Sequence, residues 1–194
     1  PMNSETMNTS NLPFIVAAAN GDVDNFADLK KSENLQIPKL ITSDSKIIPT
    51  IMAQKFEKLG GVSSDLNEAF RETVQSLNGS VAVVANTAVE PNKLSLSLRG
   101  SGQGLYVGFA EDTFIVASEP YGLVETTNQY LRLNGESIEA RKGTVSGPGE
   151  IVTLTMQQAG TLEGITRIAY DGTPLPIDES EIEQAAITTR DRDR

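Results

Sequence analysis

Two amphipathic helices set between apolar strands, followed by a succession of short strands at tight turns, predict an α+β fold built in layers. Three observations carry that prediction. Ile47, Ile48, Ile51, Met52, Phe56 and Leu59 recur at helical spacing, as do Leu66, Ala69, Phe70, Thr73, Val74 and Leu77. Leu94–Leu98 alternates apolar and polar residues, as a half-buried strand does. Two segments read as hairpins: Leu105–Phe109 with Phe114–Ala117 across Ala110-Glu111-Asp112, and Gln129–Leu133 with Ser137–Arg141 across Asn134-Gly135.

In chain order, residues 1–12 are polar and read as a flexible arm. Phe14–Ala19 is a continuous apolar strand, expected to be buried on both faces. It runs into a sharp Asn20-Gly21 turn and a helix over Asp22–Lys31, with acids at its positive end and Lys30-Lys31 at the other. Lys39–Thr42 reads as a short strand. Ser43-Asp44-Ser45 supplies caps for a helix reaching about Leu59. Pro49 must lie in its first turn or kink it, and Gly60-Gly61 stops it. A second helix covers Asp65–Leu77 and ends at Asn78-Gly79. Val81–Asn86 is a buried strand, Gly100–Gly104 a turn and Ser118–Val124 one helical turn. A loop over Gly143–Gly149 leads to strands Ile151–Met156 and Ile165–Ala169. Asp178–Ala186 reads as a weak acidic helix and Ile187–Arg194 as a loose end.

Composition narrows the chemistry. The 194 residues, 38% hydrophobic, suffice for one domain with a core, or one domain and a tail. A net charge of −10 repels phosphate backbones and argues against nucleic acid as a partner. No run of 18 apolar residues offers a membrane span, and the polar first ten residues lack the apolar core of a secretory signal. The absence of cysteine fits a reducing, cytoplasmic setting. With neither Cys nor His, no Ser-His or Cys-His nucleophile pair forms, and thiolate or imidazole metal sites are excluded. Chemistry by this chain alone falls to carboxylates, Lys, Tyr, Ser or Thr. No cofactor or metal is expected.

The order of motifs resembles the glutamine amidotransferase domain of glucosamine-6-phosphate synthases, a class II, N-terminal nucleophile family. The family's strand ending in Asn-Gly, with its acidic helix start and leucine, is matched by Asn20-Gly-Asp-Val-Asp-Asn25 and Leu29. Its Thr-Asp-Thr-Glu-Val-Ile helix start is matched by Ser43-Asp-Ser-Lys-Ile-Ile48, with Lys46 in place of the glutamate. Leu77-Asn-Gly-Ser-Val-Ala82, Gly100–Leu105, Val107-Gly-Phe109, Phe114-Ile-Val-Ala-Ser-Glu119 and Leu133-Asn-Gly-Glu136 resemble later family motifs in the same order. The resemblance covers about Phe14 to Arg141. It implies a four-layer α-β-β-α sandwich of the N-terminal nucleophile hydrolase type, incomplete in this chain. The family's leading cysteine and its His-Thr-Arg-Trp-Ala-Thr-His-Gly stretch are not present, and Pro1 fits a proline just before the Asn-Gly strand. On this reading the chain starts inside the domain.

The resemblance also assigns roles. Asn20 and Gly21 would be oxyanion donors, Asn20 through its side chain and Gly21 through its backbone N–H, against the plain alternative of a turn. Asp44 would pair with the α-ammonium of glutamine, against the alternative of helix capping. Gly100–Gly104 lacks the Lys-Ser/Thr of a phosphate loop and is read as a turn. Glu119, Glu125, Glu136 and Glu139 are read as solvated surface. The expected layout is an arm over 1–12, a partial glutaminase domain over 13–142, a β-rich extension of it over 143–186 and the start of a linker to absent sugar-isomerase domains over 187–194. The whole protein would make glucosamine 6-phosphate from fructose 6-phosphate and glutamine, with the isolated chain inactive for want of a nucleophile. Its partners would be glutamine, a sugar phosphate, the missing N-terminal segment, the isomerase domains and further copies of itself, with no membrane. The alternatives are a non-catalytic binding or regulatory module on the same fold, and a structural protein of unrelated α+β fold.

Overall fold

The computed structural model describes residues 14–100, 102–135 and 149–185. The first strand, β1 (Ile15–Val23), runs straight through Asn20-Gly21 instead of turning there. Pairing with the next strand is unbroken from Ile15 opposite Thr87 to Val23 opposite Gly79. Two glycines make this possible. Gly21 holds φ at 113°, and a Cβ on it would lie 2.1 Å from the Ser80 carbonyl oxygen. Gly79 holds φ at 119°, and its Cβ would lie 2.4 Å from the Asp22 carbonyl oxygen. Without side chains the backbones approach closely and the ladder persists where a hairpin turn was expected. The first helix, α1 (Phe26–Ser32), therefore begins four residues later than the predicted Asp22.

Lys39–Thr42 forms no strand. Leu35 and Ile37 anchor this segment in the core, Ile41 N–H closes a turn onto Pro38 O, and Leu40 is left 96% exposed. A 3₁₀ turn over Asp44–Lys46 leads into α2 (Ile47–Leu59). Pro49 sits in its first turn, where a missing N–H costs nothing. Helix α3 (Leu66–Ser76) buries Leu66, Ala69, Phe70, Thr73 and Val74 on one face, as its spacing predicts.

Strand β2 (Gly79–Thr87) joins β1 to β3 (Lys93–Arg99). The hairpin strands are β4 (Tyr106–Ala110) and β5 (Thr113–Ala117), and β6 (Gln129–Arg132) follows a 3₁₀ turn at Pro120–Gly122. Then come β7 (Glu150–Thr155), β8 (Ile165–Ala169) and β9 (Ile182–Gln184). The first sheet has the order β1-β2-β3-β7-β8 and the second β5-β4-β6-β9, with every pairing antiparallel. Val81, Val83 and Ala85 meet α2 and α3 on one side of the first sheet. Ala82, Leu96, Leu98 and Val152 meet Leu105, Val107, Phe109 and Leu131 on the other.

Three expectations about exposure and type give way to this layering. Leu94–Leu98 is buried on both faces, with Ser97 fully covered, because β3 is the central strand between helix and second sheet. The small Ser97 side chain fits beneath α3 and donates to Glu150 O at 2.9 Å. By contrast β1 is buried on one face only. It is the outermost strand, and Val16, Ala18, Asn20 and Asp22 are exposed. Asp178–Ala186 is no helix: a 3₁₀ turn at Glu179–Glu181 gives way to β9, which carries Ile182 into the core between the sheets. The described residues supply three layers, helix on sheet on sheet. Residues 118–128 cross the outer face of the second sheet, with Leu123 buried where the missing side chain of Gly108 leaves room. The arm over 1–12, the strand over Ser137–Arg141 and the end over 187–194 lie outside the described residues.

An ionic cluster is buried between the sheets. Arg167 donates through two nitrogens to Glu181, each at 2.8 Å, and lies 3.4 Å from Glu150. Glu150 also accepts from Asn134 N–H at 2.7 Å. Arg167→Met leaves the Glu150 carboxylate buried without its cation and should cost about 3–5 kcal/mol in urea unfolding. The two acids respond to pH in opposite senses. Hydrogen bonds from Arg167 hold the Glu181 carboxyl below its ordinary 4.5, so its contribution is complete above that pH and is lost as pH falls through the lower folded value. Burial raises the Glu150 carboxyl above 4.5, so its contribution is complete below that pH and is lost as pH rises through the raised value. Glu181→Gln should therefore flatten the loss of stability on acidification, and Glu150→Gln the loss on the rising side.

Candidate functional site at the free edge of the first strand

Hydrogen bonds at the two ends of β1 fix which way each peptide group points. Phe14 O accepts from Ala88 N–H and Asp24 N–H donates to Asn78 O, so the even-numbered residues turn their backbone groups toward β2. Odd-numbered residues turn theirs outward, off the free edge. Val23 does so, donating its N–H to Asp44 Oδ2 at 3.0 Å. The N–H of Gly21 points the same way, two residues earlier. Asn20 lies on the exposed face of the strand, on the side of its partner Ala82 and away from the helices. Asn20 is thus exposed on that face, next in sequence to the outward-directed Gly21 N–H.

Asp44 opens the 3₁₀ turn before α2. Its Oδ1 accepts from Ser45 N–H at 2.7 Å while Oδ2 holds Val23. Ser43, a candidate cap, makes no capping bond and instead pairs hydroxyls with Ser45 at 2.6 Å. Asp44 therefore both stitches its own turn and clamps that turn to β1. A carboxylate has about four acceptor positions, and backbone N–H groups use two. The remaining ones are not engaged by either of those backbone groups. Two residues along a strand span about 6.6 Å, the separation of Gly21 from Val23, the residue that Asp44 clamps.

Several supporting residues had no role assigned to them from the sequence. Asn25 stands at a helix start, where Asn commonly caps, but makes no capping bond. Its amide donates to Ser76 O and its oxygen accepts from Asn78 N–H, each at 2.9 Å, tying the end of α3 to the end of β1. Ser80 Oγ accepts from Gly102 N–H at 2.8 Å and so moors the glycine-rich turn beside Gly21. Tyr170 donates its hydroxyl to Leu98 O at 2.8 Å, and its carbonyl accepts from Arg71 and Gln75. Both links bridge elements far apart in sequence. Glu119 and Glu125 lie on the segment crossing the second sheet, and Glu136 and Glu139 fall outside the described residues. Among the described residues no group of three or more carboxylates is placed to hold a metal, and no helix is long and apolar enough to cross a membrane.

No protein-family model matches the chain. Curated relatives do. The chain is 28% identical over 144 residues to the isomerizing glutamine–fructose-6-phosphate aminotransferase of Bacillus cereus, covering 74% of this chain and 22% of that protein. Its counterpart in Tropheryma whipplei is 31% identical over 126 residues, 64% of this chain and 19% of that one. That of Bacillus subtilis is 25% identical over 169 residues, 85% and 24%. The chain thus spans about a fifth to a quarter of these relatives. Among solved structures, glutamine phosphoribosylpyrophosphate amidotransferase from B. subtilis, complexed with ADP and GMP, superposes with a TM-score of 0.59 at 19% identity, over 84% of this chain and 30% of that one. The allosteric regulatory enzyme of purine biosynthesis gives 0.58 at 20%, with the same coverage. The resemblance read from motif order is matched by relatives of that name, and the fold is that of the amidotransferases. Removing the clamp by Asp44→Ala should lower stability by about 1 kcal/mol and speed hydrogen exchange at the Val23 amide, measured by NMR.

Proposed function

We propose that this chain is the larger part of a glutaminase domain, supplying the oxyanion donors and the ammonium-binding carboxylate of a glutamine site. One observation carries the reading: the Gly21 N–H and the Asp44 carboxylate share the free edge of β1, two residues apart. In extended glutamine the carboxamide carbon and the α-nitrogen are four bonds apart, about 5 Å. The side chain then reaches Asn20 and Gly21 while the α-ammonium meets Asp44.

Attack by a thiolate on the carboxamide carbon places negative charge on its oxygen. The Asn20 side-chain N–H and the Gly21 N–H receive that charge, and one such donor lowers the barrier by about 3–4 kcal/mol. The nucleophile comes from outside these 194 residues, which contain no cysteine. In the whole protein the released ammonia passes to fructose 6-phosphate and yields glucosamine 6-phosphate. The sugar is handled by isomerase domains, in the cytoplasm and in an oligomer. A second reading rests on the absence of Cys and His: a module on the same fold that binds glutamine without hydrolysing it.

The test is ammonia release from glutamine, read by a coupled dehydrogenase assay. The chain alone should release none. Extended by its upstream coding sequence, it should begin with a cysteine and become active. In that longer protein Asn20→Ala should lower kcat by about 10²–10³-fold, while Asp44→Asn should act mainly on KM. Ammonia from the chain alone would contradict the proposal, and an extension without a cysteine would favour the second reading.

A further inference from the structure

The glycine-rich turn after β3 is folded down onto the first two strands. Gly102 donates its N–H to Ser80 Oγ at 2.8 Å, and a Cβ on Gly102 would lie 2.6 Å from that oxygen. A Cβ on Gly100 would lie 2.6 Å from Gly79 O. Two missing side chains thus let the turn rest on the start of β2. The next residue, Gln103, carries its side chain one strand further, onto β1. Its Cγ lies 3.1 Å from where a Cβ on Gly21 would stand. On β2, Ser80 and Ala82 alternate with Val81 and Val83, which face the helices. Ser80 pairs with Asp22 and Ala82 with Asn20, so Gln103 comes down on the face that carries Asn20. It is half-buried there. Among the described residues, neither the Gln103 carboxamide nor that of Asn20 has a hydrogen-bond partner.

An oxyanion donor at Asn20 has a requirement that its place on the strand does not meet. A carboxamide has an accepting end and a donating end. Unless its oxygen is held elsewhere, either end turns toward the reacting carboxamide. We propose that Gln103 holds it: the Gln103 Nε2–H donates to Asn20 Oδ1 and so turns the Asn20 N–H toward the developing charge. The amide nitrogen of a glutamine stands about 2.4 Å beyond its Cγ, and Asn20 is the chain neighbour of the glycine that this Cγ covers. Gln103 is then a positioning residue that acts through Asn20, an inference that rests on the glutaminase reading. Two rivals for its N–H are the Asp22 carboxylate, on the same face, and the oxyanion itself.

Two experiments test it. In the ¹⁵N-labelled chain, nuclear Overhauser contacts should connect the side-chain amide protons of Gln103 and Asn20. Gln103→Met, similar in length but without a donor, should move the Asn20 side-chain signals, and Asp22→Asn should leave them in place. In the protein extended by its upstream coding sequence, Gln103→Met should lower kcat for glutamine hydrolysis about tenfold, the worth of one hydrogen bond. KM should stay within about twofold. Gln103→Glu, which only accepts, should lower kcat further. On an Asn20→Ala background Gln103→Met should change nothing, because its effect passes through Asn20. A residue that touched the oxyanion, or that only held the loop, would keep its effect there. The proposal is overturned by the absence of any Gln103–Asn20 contact, by an unchanged kcat in Gln103→Met, or by losses that multiply in the double variant. Full kcat in Asn20→Ala overturns the glutaminase reading itself, and the proposal with it.

Discussion

The close approach of β1 and β2 at Gly21 and Gly79 sets the geometry of the whole corner. A side chain at either position would collide with a carbonyl oxygen of the neighbouring strand, at Ser80 or at Asp22. Because neither has one, the ladder holds its register to Val23. The register decides that the Gly21 and Val23 N–H groups leave the sheet on the open side. Asp44 then finds Val23, and the turn preceding α2 is pinned against the strand. Had the chain turned at Asn20-Gly21, Val23 would not lie on this edge for Asp44 to hold.

Packing further away supports the same corner. The ionic cluster of Arg167, Glu150 and Glu181 holds the Asn134 N–H, and so the turn at Asn134-Gly135. That turn presses on β3, where a Cβ on Gly135 would lie 1.9 Å from Gly100 O. The loop beginning at Gly100 reaches back through Gly102 to Ser80, the residue beside Gly21. Strands β7 and β8 extend the first sheet and β9 the second, so the C-terminal third contributes to the frame around the site. As an outermost strand, β1 keeps backbone donors directed off the sheet.

Much of the fold was legible in the sequence because its signals are local. The helical faces of α2 and α3, the hairpin of β4 and β5 and the place of Pro49 follow from spacing and turn chemistry. Misread segments were decided by long-range neighbours. Asn20-Gly21 has the signature of a turn, and pairing with Ala82 and Val81 of β2, distant in sequence, keeps it in a strand. Alternation in Leu94–Leu98 correctly implied a strand but not its burial, which depends on β3 lying at the centre of the sheet. Asp178–Ala186 has helical composition, yet Arg167 and the edge of β6 draw it into a 3₁₀ turn and a strand. Asn20, Gly21 and Asp44 were found through the order of motifs. Asn25 and Ser80, which brace them, fall within quoted motifs but had no role assigned there, and their bracing became visible only through their partners.

The central claim is that one edge of β1 carries both halves of a glutamine-recognition corner. Residue-resolved ¹H–¹⁵N spectra of the chain titrated with L-glutamine test it most directly. The account predicts that the Gly21 and Val23 amides and the Asn20 side-chain signals move together with one binding curve, and that Asp44→Ala abolishes the movement. Shifts confined to other elements, or none at saturating glutamine, would contradict it.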